Sequence, residues 1–345
     1  VGEVLFGNCL MAGQGQAPAR QAAFKGGLPK EAGAVTLSKM CGSGMKAAMF
    51  AHDMLLAGTH DVMVAGGMES MTNAPYLLQK GRGGYRLGHD RIFDHMMLDG
   101  LEDAYEPGRS MGTFGEDCAA KYGFTRAEQD AFATASVERA KAATASGAFA
   151  AEITPVTVKS RAGETVVSVD EGPGKVKLDK IASLKPAFKK DGTITAASSS
   201  SINDGAAALV MMRASTATKL GCKPLARIVG HATHAQEPEW FATAPLGATQ
   251  KALAKAGWAV GDVDLWEINE AFAVVPMALM KELNLPHDKV NVNGGACALG
   301  HPIGASGARI MVTLIYALQA RGLKKGLATL CIGGGEATAV AVELV

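Results

Sequence analysis

The sequence predicts an α/β protein built from two similar halves. The prediction rests first on an internal repeat, because a segment that begins GAVTLSKMCGSGMK returns later as KVNVNGGACALGHPIGASGARI. Ser43-Gly44 matches Ser306-Gly307, and both copies end in Gly-Gly-x-Glu, at Glu69 and Glu336. It rests second on strand-like runs that are short and continuously apolar, as in sheets covered on both faces. Repeated strand–helix–strand units then imply right-handed crossovers and a mostly parallel sheet.

The elements follow one another in the same order in each copy. Apolar residues at helical spacing predict a helix after each Ser-Gly pair. These residues are Met45, Ala48, Met49 and Leu55 in the first copy, and Ile310, Leu314 and Leu318 in the second. The runs DVMVAGG and LATLCIGGG predict the strand after each helix.

A long excursion separates the two copies and is richer in charged and turn residues. It contains one clear helix, for which Thr125 is the predicted N-cap, Glu128 its capping-box partner and Gly147 the end. We expect this excursion to face the substrate. We therefore assign residues 1–71 and 203–223 to the first half, 72–202 to an inserted loop domain, and 224–345 to the second half.

Composition excludes some classes of partner. Apolar residues make up 48% and charged residues 19% of the 345-residue chain, and the formal net charge is +1. We expect no nucleic-acid partner, because no strong positive field surrounds the protein. We expect no membrane partner, because no stretch approaches the roughly 20 apolar residues of a spanning helix. The chain begins without methionine, so we expect a processed chain or fragment that is cytoplasmic, with organellar targeting still open.

The six cysteines are spread widely and include no CxxC pair, which favours free thiols in a reducing compartment. We expect Cys9, Cys118 and Cys222 to be small buried hydrophobes, and Cys297 to serve packing. His231 and His234 lack further spaced ligands, so the sequence predicts no metal site.

Cys41 and His301 occupy matching glycine loops, each just before a predicted helix. A helix N-terminus favours a thiolate and lowers the pKa of a cysteine, so we expect a reactive Cys41. If the two halves pack together, the loops meet, and His301 becomes the base for Cys41. Cys331 and Asn269 each end an apolar strand, where open α/β sheets bind ligands.

Four motifs, CGSG, NEAF, GHPIGASG and CIGGGEA, in this order, resemble those of the thiolase family, the acyl-CoA C-acyltransferases. The resemblance covers essentially the entire chain and implies a five-layer αβαβα sandwich. It implies that Cys41 carries the acyl group, that His301 takes the thiol proton, and that Cys331 removes the α-proton of a second acetyl-CoA. It also implies two oxyanion sites: one formed by His301 and a water on Asn269, the other by the N–H groups of Cys41 and Gly333.

The resemblance implies contacts with coenzyme A as well, which is a substrate, so we expect no separate cofactor. The positions that match substrate contacts are Met111, Phe188, Ala196, Ser200, Ala271 and Phe272. Residues 175–190 carry six lysines and one aspartate, and form either a solvated basic face or an attraction for the CoA phosphates. Ser110 departs from the histidine of short-chain members.

The leading hypothesis is the reversible condensation of two acetyl-CoA molecules to acetoacetyl-CoA and CoA. A degradative 3-ketoacyl-CoA thiolase with longer substrates, and a non-catalytic acyl-CoA-binding relative, remain as alternatives. The resemblance further implies a homotetramer, a dimer of dimers. The family's first strand and helix have no counterpart here, and we expect the absent strand to be a central strand of a buried sheet.

Overall fold

The structure, a computed structural model, describes residues 1–161 and 163–345. Its strands are β1 (Glu3–Gly7), β2 (Gly33–Leu37), β3 (Val62–Ser70), β4 (Tyr76–Leu77), β5 (Phe93–Asp94), β6 (Val156–Ser160), β7 (Gly163–Val167), β8 (Asp204–Met212), β9 (Ala226–Ala235), β10 (Leu265–Ile268), β11 (Lys325–Ile332) and β12 (Glu336–Leu344). Its α-helices are α1 (Pro18–Lys25), α2 (Ser43–Leu56), α3 (Met111–Tyr122), α4 (Arg126–Ser146), α5 (Glu171–Lys175), α6 (Ala214–Leu220), α7 (Ala244–Ala256), α8 (Val274–Leu283), α9 (Ala296–Leu299) and α10 (Ile303–Arg321).

Each half contributes one four-stranded sheet. The first has the spatial order β2-β1-β3-β8, in which β1 pairs in parallel with β2 and β3, and β8 runs antiparallel to β3. The second has the order β10-β11-β12-β9, with β10 and β11 parallel and β12 antiparallel to both of its neighbours. The duplicated α/β halves predicted from the repeat are confirmed.

The two repeat helices, α2 and α10, lie between the sheets and pack against each other. Their contact is close because the matching Ser-Gly pairs meet there. A Cβ on Gly307 would lie 2.4 Å from the backbone nitrogen of Met45, and one on Gly44 would lie 2.8 Å from that of Ala308. Around this crossing, apolar side chains of both helices and both sheets form one core. The close packing of α2 against α10 places the two glycine loops, which precede these helices, next to each other.

The outer layers complete the five-layer sandwich. α1 packs against β1 and β2, while α7 covers β9, β12 and β11. A second core, which includes Trp266, Ile268 and Cys331, joins the second sheet to α3, α7 and α8. The end of β11 that carries Cys331 is therefore buried among α3, from the loop excursion, and α7 and α8, from the second half.

The predicted helix in the excursion is confirmed as α4. Thr125 accepts the N–H of Glu128 and the Glu128 carboxylate accepts the N–H of Thr125, and Gly147 ends the helix in the left-handed region. After the excursion, β8 returns to the first sheet beside β3. The exact domain boundaries given above stay a prediction.

One strand of the second half has no counterpart in the first, and its place in the sheet differs from the central position expected above. The repeat matches β1, β3 and β8 with β10, β11 and β12, so β9 is the unmatched strand of the second half. β9 lies at a sheet edge, beside β12, and not at the centre. Its counterpart would therefore lie beside β8, which pairs with β3 alone among the described residues and leaves Val210 67% exposed. The expectation of a central strand was wrong, because the strand order is set by crossovers that sequence does not reveal.

Two further expectations are corrected. α10 is long and apolar enough to span a membrane, which the sequence analysis did not anticipate, but most of it is buried inside the fold as a core helix is. Cys118 and Cys297 are buried as predicted, whereas Cys9 is half-buried and Cys222 is exposed. Cys222 follows Gly221, the left-handed residue that ends α6, so its side chain belongs to a surface turn.

Candidate active site

Cys41 lies in the tight loop that joins β2 to α2. Met40 has a φ of 46°, a left-handed conformation that costs a non-glycine residue about 1–3 kcal/mol. Ser43 holds the loop together, since its hydroxyl donates to the carbonyl oxygen of Met40 at 2.7 Å and accepts the N–H of Lys39 at 2.8 Å. The strained turn presents the Cys41 thiol to the second half, where the backbone N–H of Gly333 lies near enough to act on the pKa of the thiol.

The pKa of Cys41 differs from the expectation. Burial raises the pKa of this thiol to about 11, while the N–H groups of Gly333 and of Cys41 itself act in the opposite direction. Desolvation therefore outweighs the helix N-terminus. The expectation of a lowered pKa was wrong, and Cys41 is a neutral thiol at pH 7 that needs a base.

His301 occupies the matching loop, immediately before α10. Its Nδ1 atom lies 2.5 Å from the hydroxyl oxygen of Ser306. That hydroxyl donates its only proton to the carbonyl oxygen of Pro302 at 2.9 Å, so it accepts from His301. Nδ1 therefore carries the proton in the neutral ring, and Nε2 presents a lone pair.

The Nε2 atom of His301 is buried and has no hydrogen-bond partner within residues 1–161 and 163–345. Burial lowers the pKa of His301 to about 4, and the positive charge of Arg309 contributes in the same direction. The ring is therefore neutral at pH 7. Cys41 packs against the small apolar cluster of Leu10, Met71 and Ile303, which places it beside the loop that carries His301. The expected meeting of the two loops is thus observed.

Cys331 ends β11 opposite Ala337 and is completely buried. Burial raises the pKa of its thiol well above the usual value, and the next largest cause is charge on Cys41. A Cβ on Gly42, the neighbour of Cys41, would lie 2.3 Å from the Cδ1 atom of Ile332, the neighbour of Cys331. The fold therefore brings together two loops whose cysteines are 290 positions apart in the sequence.

A glycine turn follows Cys331 and approaches both thiols. Gly334 and Gly335 have φ values of 91° and 83°, which favour glycine. A Cβ on Gly335 would also lie 2.3 Å from the carbonyl oxygen of Gln236. Gly333 itself faces Met111, whose Cε atom would lie 3.5 Å from an added Cβ. The turn therefore directs its first amide at Cys41 and brings Met111 to the site.

Asn269 follows β10, and its backbone N–H donates to the carbonyl oxygen of Thr329. Its side chain is 1% exposed, yet neither amide atom has a hydrogen-bond partner in the described part of the chain. An unsatisfied buried polar group costs about 1–3 kcal/mol, so this side chain is suited to hold a ligand or a water.

The predicted CoA contacts gather around one aromatic pair. The rings of Phe188 and Phe272 meet edge to face at 5.6 Å, and Phe188 lies over Gly112, next to Met111. The N–H of Ser200 donates to the carbonyl oxygen of Ala271 at 3.0 Å, which ties the serine segment to the loop after Asn269. Ala196 is exposed at the edge of this group.

The basic segment at residues 175–190 is partly neutralised. Lys175 pairs with Glu171, Lys180 with Asp179, and Lys189 with Asp117. These pairs are exposed and contribute little to stability. A segment in which half of the lysines have acidic neighbours attracts phosphates less strongly than its composition indicates.

The sequence identified Glu69 and Glu336 as repeat positions. It did not reveal that each of these side chains forms a hydrogen bond with the opposite half. The buried Glu69 carboxylate accepts the N–H groups of Cys9, Leu10 and Gly304, so the first half holds the loop of His301. Glu336 accepts from Lys39 at 2.5 Å, so the second half holds the loop of Cys41. The repeated Gly-Gly-x-Glu pattern was the signal that could have revealed this exchange.

Glu270, the neighbour of Asn269, follows the same strand end and has a structural role that the sequence did not reveal. It is fully buried, and its carboxylate accepts from the Ser136 hydroxyl, the Asn291 amide and the backbone N–H of Cys297. These bonds fix the loop that positions Asn269. The Cys297 side chain packs with Phe132 and Ala273 in a small apolar cluster, as expected.

Two models of known protein families match the chain, one in each half. The model of the thiolase N-terminal domain matches residues 1–215, and that of the thiolase C-terminal domain matches residues 222–344. Together these matches cover nearly the whole sequence.

Individual relatives agree with the family models. An acetyl-CoA acetyltransferase of Chromobacterium violaceum is 52% identical over 99% of this chain and 88% of its own length. Acetyl-CoA acetyltransferase 2 of Arabidopsis thaliana is 50% identical over 100% of this chain and 86% of its own. The crystal structure of the Bacillus anthracis acetyl-CoA acetyltransferase has a TM-score of 0.96 and 43% identity, and covers 100% of this chain and 87% of that one. A thiolase from Ascaris suum, solved in complex with coenzyme A, has a TM-score of 0.93 and 41% identity, covering 100% and 88%.

Proposed function

The chain belongs to the thiolase family, and from that premise we propose that it is an acetyl-CoA C-acetyltransferase. The reaction joins two acetyl-CoA molecules to acetoacetyl-CoA and free CoA, and it is reversible. An acetyl group carried on Cys41 links the two halves of the reaction.

In the first step, the Nε2 atom of His301 takes the proton of the Cys41 thiol as the sulfur attacks the acetyl carbonyl carbon. The carbon–sulfur bond to CoA then breaks, and CoA leaves with the proton from His301. Ser306 keeps Nδ1 protonated throughout, so Nε2 is the atom that takes up and returns the proton. Because the pKa of His301 is about 4, its protonated form gives the proton up readily.

Burial raises the pKa of Cys331, so this thiol is neutral before the second step. His301, now without its extra proton, takes the thiol proton of Cys331, and the Cys331 sulfur removes the α-proton of the second acetyl-CoA. The resulting enolate carbon attacks the acetyl group on Cys41, forming the new carbon–carbon bond and breaking the thioester. The Cys41 sulfur leaves and takes the proton from His301, which restores both thiols and the neutral imidazole.

The negative oxygen in each step needs preorganised donors. The N–H groups of Gly333 and Cys41, already directed at the Cys41 sulfur, would serve the acetyl group carried there. His301, while it holds a proton on Nε2, and a water on Asn269 would serve the enolate. Loss of one such donor typically costs about 10² to 10³ in rate.

Coenzyme A would enter past the aromatic pair of Phe188 and Phe272, with Met111 at the acyl end and Ser200, Ala271 and Ala196 beside it. We propose that the protein needs no separate cofactor, works in the cytoplasm and forms a homotetramer. Exposed apolar side chains at Phe24 and Val35, next to the free edge of β2, suit a subunit contact.

The meeting of the Cys41 loop with the end of the Cys331 strand and with the His301 loop carries the proposal, because binding of acyl-CoA alone requires neither a second thiol nor a base beside the first. The test is thiolysis by free CoA of acetoacetyl-CoA and of a medium-chain 3-ketoacyl-CoA on one preparation. We expect a strong preference for acetoacetyl-CoA.

Good turnover of the longer substrate would instead assign the protein to the degradative class and make Ser110 a specificity feature. Activity on neither substrate, with CoA binding intact, would contradict the proposal. The variant Cys41→Ala should lose thiolysis and retain affinity for CoA.

A further inference from the structure

A second group of ligand-bearing side chains lies where the two halves meet, near the end of α2. His52 and Asp53 are on that helix, and His231 is on β9, the edge strand of the second sheet. The Nε2 atom of His231 lies 2.8 Å from Asp53 Oδ1 and 3.1 Å from His52 Nδ1. These last two atoms are 3.0 Å apart. Three ligand atoms therefore converge on one point.

The strand directs His231 toward the helix. Gly230 faces α7, because a Cβ there would lie 2.8 Å from the carbonyl oxygen of Ala252. Side chains alternate along a strand, so His231 points to the opposite face, into the layer that contains α2. Its side chain is 12% exposed, whereas that of Asp53 is 57% exposed. The point of convergence is therefore open to solvent on the carboxylate side.

The same three atoms can also form hydrogen bonds without an ion. The Asp53 carboxylate only accepts, and each facing nitrogen either donates or accepts. With a proton on both nitrogens, each N–H donates to Asp53 Oδ1, but the two protonated nitrogens then lie only 3.1 Å apart. A cation would instead accept a lone pair from all three atoms.

We propose that His52, Asp53 and His231 bind one divalent transition-metal ion of the class of Ni²⁺, Co²⁺ or Zn²⁺. Two imidazoles and one carboxylate on a single face are a ligand set that these metals accept. Bonds of about 2.1 Å at right angles place ligand atoms about 3.0 Å apart, close to the observed 2.8–3.1 Å. Water would complete the coordination.

The surroundings of the three side chains limit the affinity for an ion. Lys255 places a positive charge near His231, which opposes a bound cation. The Nδ1 atom of His231 has no hydrogen-bond partner among the described residues, and such a partner is typically worth about 10- to 100-fold in affinity. We therefore expect moderate, micromolar binding.

The ion would connect the two halves, since α2 belongs to the first and β9 to the second. Within residues 1–161 and 163–345, β9 pairs with one strand only, β12. An ion that binds the folded chain alone stabilises it in proportion to its saturation. The role is therefore a clamp on an edge strand, separate from the two thiols.

The experiment is calorimetric titration of the tag-free chain with Ni²⁺, followed by thermal unfolding with and without the ion. We expect one site per chain, and at a hundredfold excess over Kd a rise of a few degrees in Tm that chelator reverses. His231→Gln and Asp53→Asn should each abolish the site. His234→Gln is the matched control, because His234 lies on the α7 side of β9, beside Gly247 and Lys251, and should bind as the unaltered chain does.

Asp53 is exposed on a helix, so Asp53→Asn decides the outcome if His231→Gln does not fold. Thiolysis should be unchanged in Asp53→Asn and His234→Gln, and it reports folding independently of the metal. The proposal would be overturned by the absence of saturable uptake, by unchanged uptake in Asp53→Asn, or by equal loss in His234→Gln.

Discussion

The two glycine loops share a scaffold but use it for opposite tasks. In the first half, Ser43 binds backbone atoms and so fixes the strained turn that presents Cys41. In the second half, the matching Ser306 binds the His301 side chain and so fixes its tautomer. The same residue at the same repeat position thus supports the proposed nucleophile in one loop and the proposed base in the other. The repeat provides two equivalent loop positions, and the two loops differ in the group to which each serine hydroxyl is hydrogen-bonded.

The two glutamates show the same divergence. Glu69 is 4% exposed and accepts three backbone N–H groups, whereas Glu336 forms one partly exposed ion pair with Lys39. Each glutamate reaches into the other half, so neither loop is held by its own half alone. The site therefore depends on the contact between the halves.

The largest expected effect separates the two thiols. Cys331→Ala should lower thiolysis and condensation by about 10² to 10⁴, the usual contribution of a general base. It should still transfer acetyl from acetyl-CoA to Cys41, because that step uses His301. Steady-state rates and intact mass after mixing with acetyl-CoA measure the two steps. The exposed Cys222→Ala variant is the control, and loss of acetylation in Cys331→Ala would contradict the separation.

Replacement of Ser306 should mainly lower kcat, whereas replacement of Ser43 should mainly lower the free energy of unfolding. Ser306→Ala releases the His301 ring, and a misplaced base costs roughly 10² in kcat. Ser43→Ala removes buried hydrogen bonds of the loop, and should lower the free energy of unfolding by about 1–3 kcal/mol with a smaller loss of kcat. Turnover and urea unfolding of both variants test this. Equal losses of kcat would mean that the loops are not specialised.

The pH dependence of alkylation tests the state of Cys41. Its raised pKa of about 11 means that the thiolate fraction, and the rate with iodoacetamide, should rise about tenfold per pH unit from pH 7 to pH 10. Peptide mapping follows Cys41, with exposed Cys222 as the reference in the same sample. A plateau below pH 8 would instead indicate a thiolate already paired with a protonated His301.

The smallest effect distinguishes the two glutamates. Glu69→Gln leaves buried N–H groups poorly paired and should lower the free energy of unfolding by about 1–3 kcal/mol. Glu336→Gln breaks a partly exposed ion pair and should cost about 0–1 kcal/mol. Urea unfolding of the two variants measures both, and the reverse order would contradict the assigned roles.

Local and repeated patterns could be predicted from the sequence, and properties that depend on packing could not. The capping box at Thr125 and the repeat of Ser43-Gly44 are local, and both led to correct elements. The pKa of Cys41 was predicted in the wrong direction because burial, which raises it, depends on the packing of distant segments that the local sequence does not show. The contact of His231 with Asp53 joins residues 178 positions apart, through a strand order that no local signal specifies.

The central claim is that Cys41 carries the acetyl group, and the most direct test is to locate that group. The protein is mixed with acetyl-CoA, quenched in acid and digested, and its peptides are examined by mass spectrometry. We predict one acetyl group per chain, on the peptide that contains Cys41, removed when free CoA is added before the quench. Acetyl on Cys331 or on another residue, or an unmodified chain that nevertheless turns over acetoacetyl-CoA, would contradict the claim.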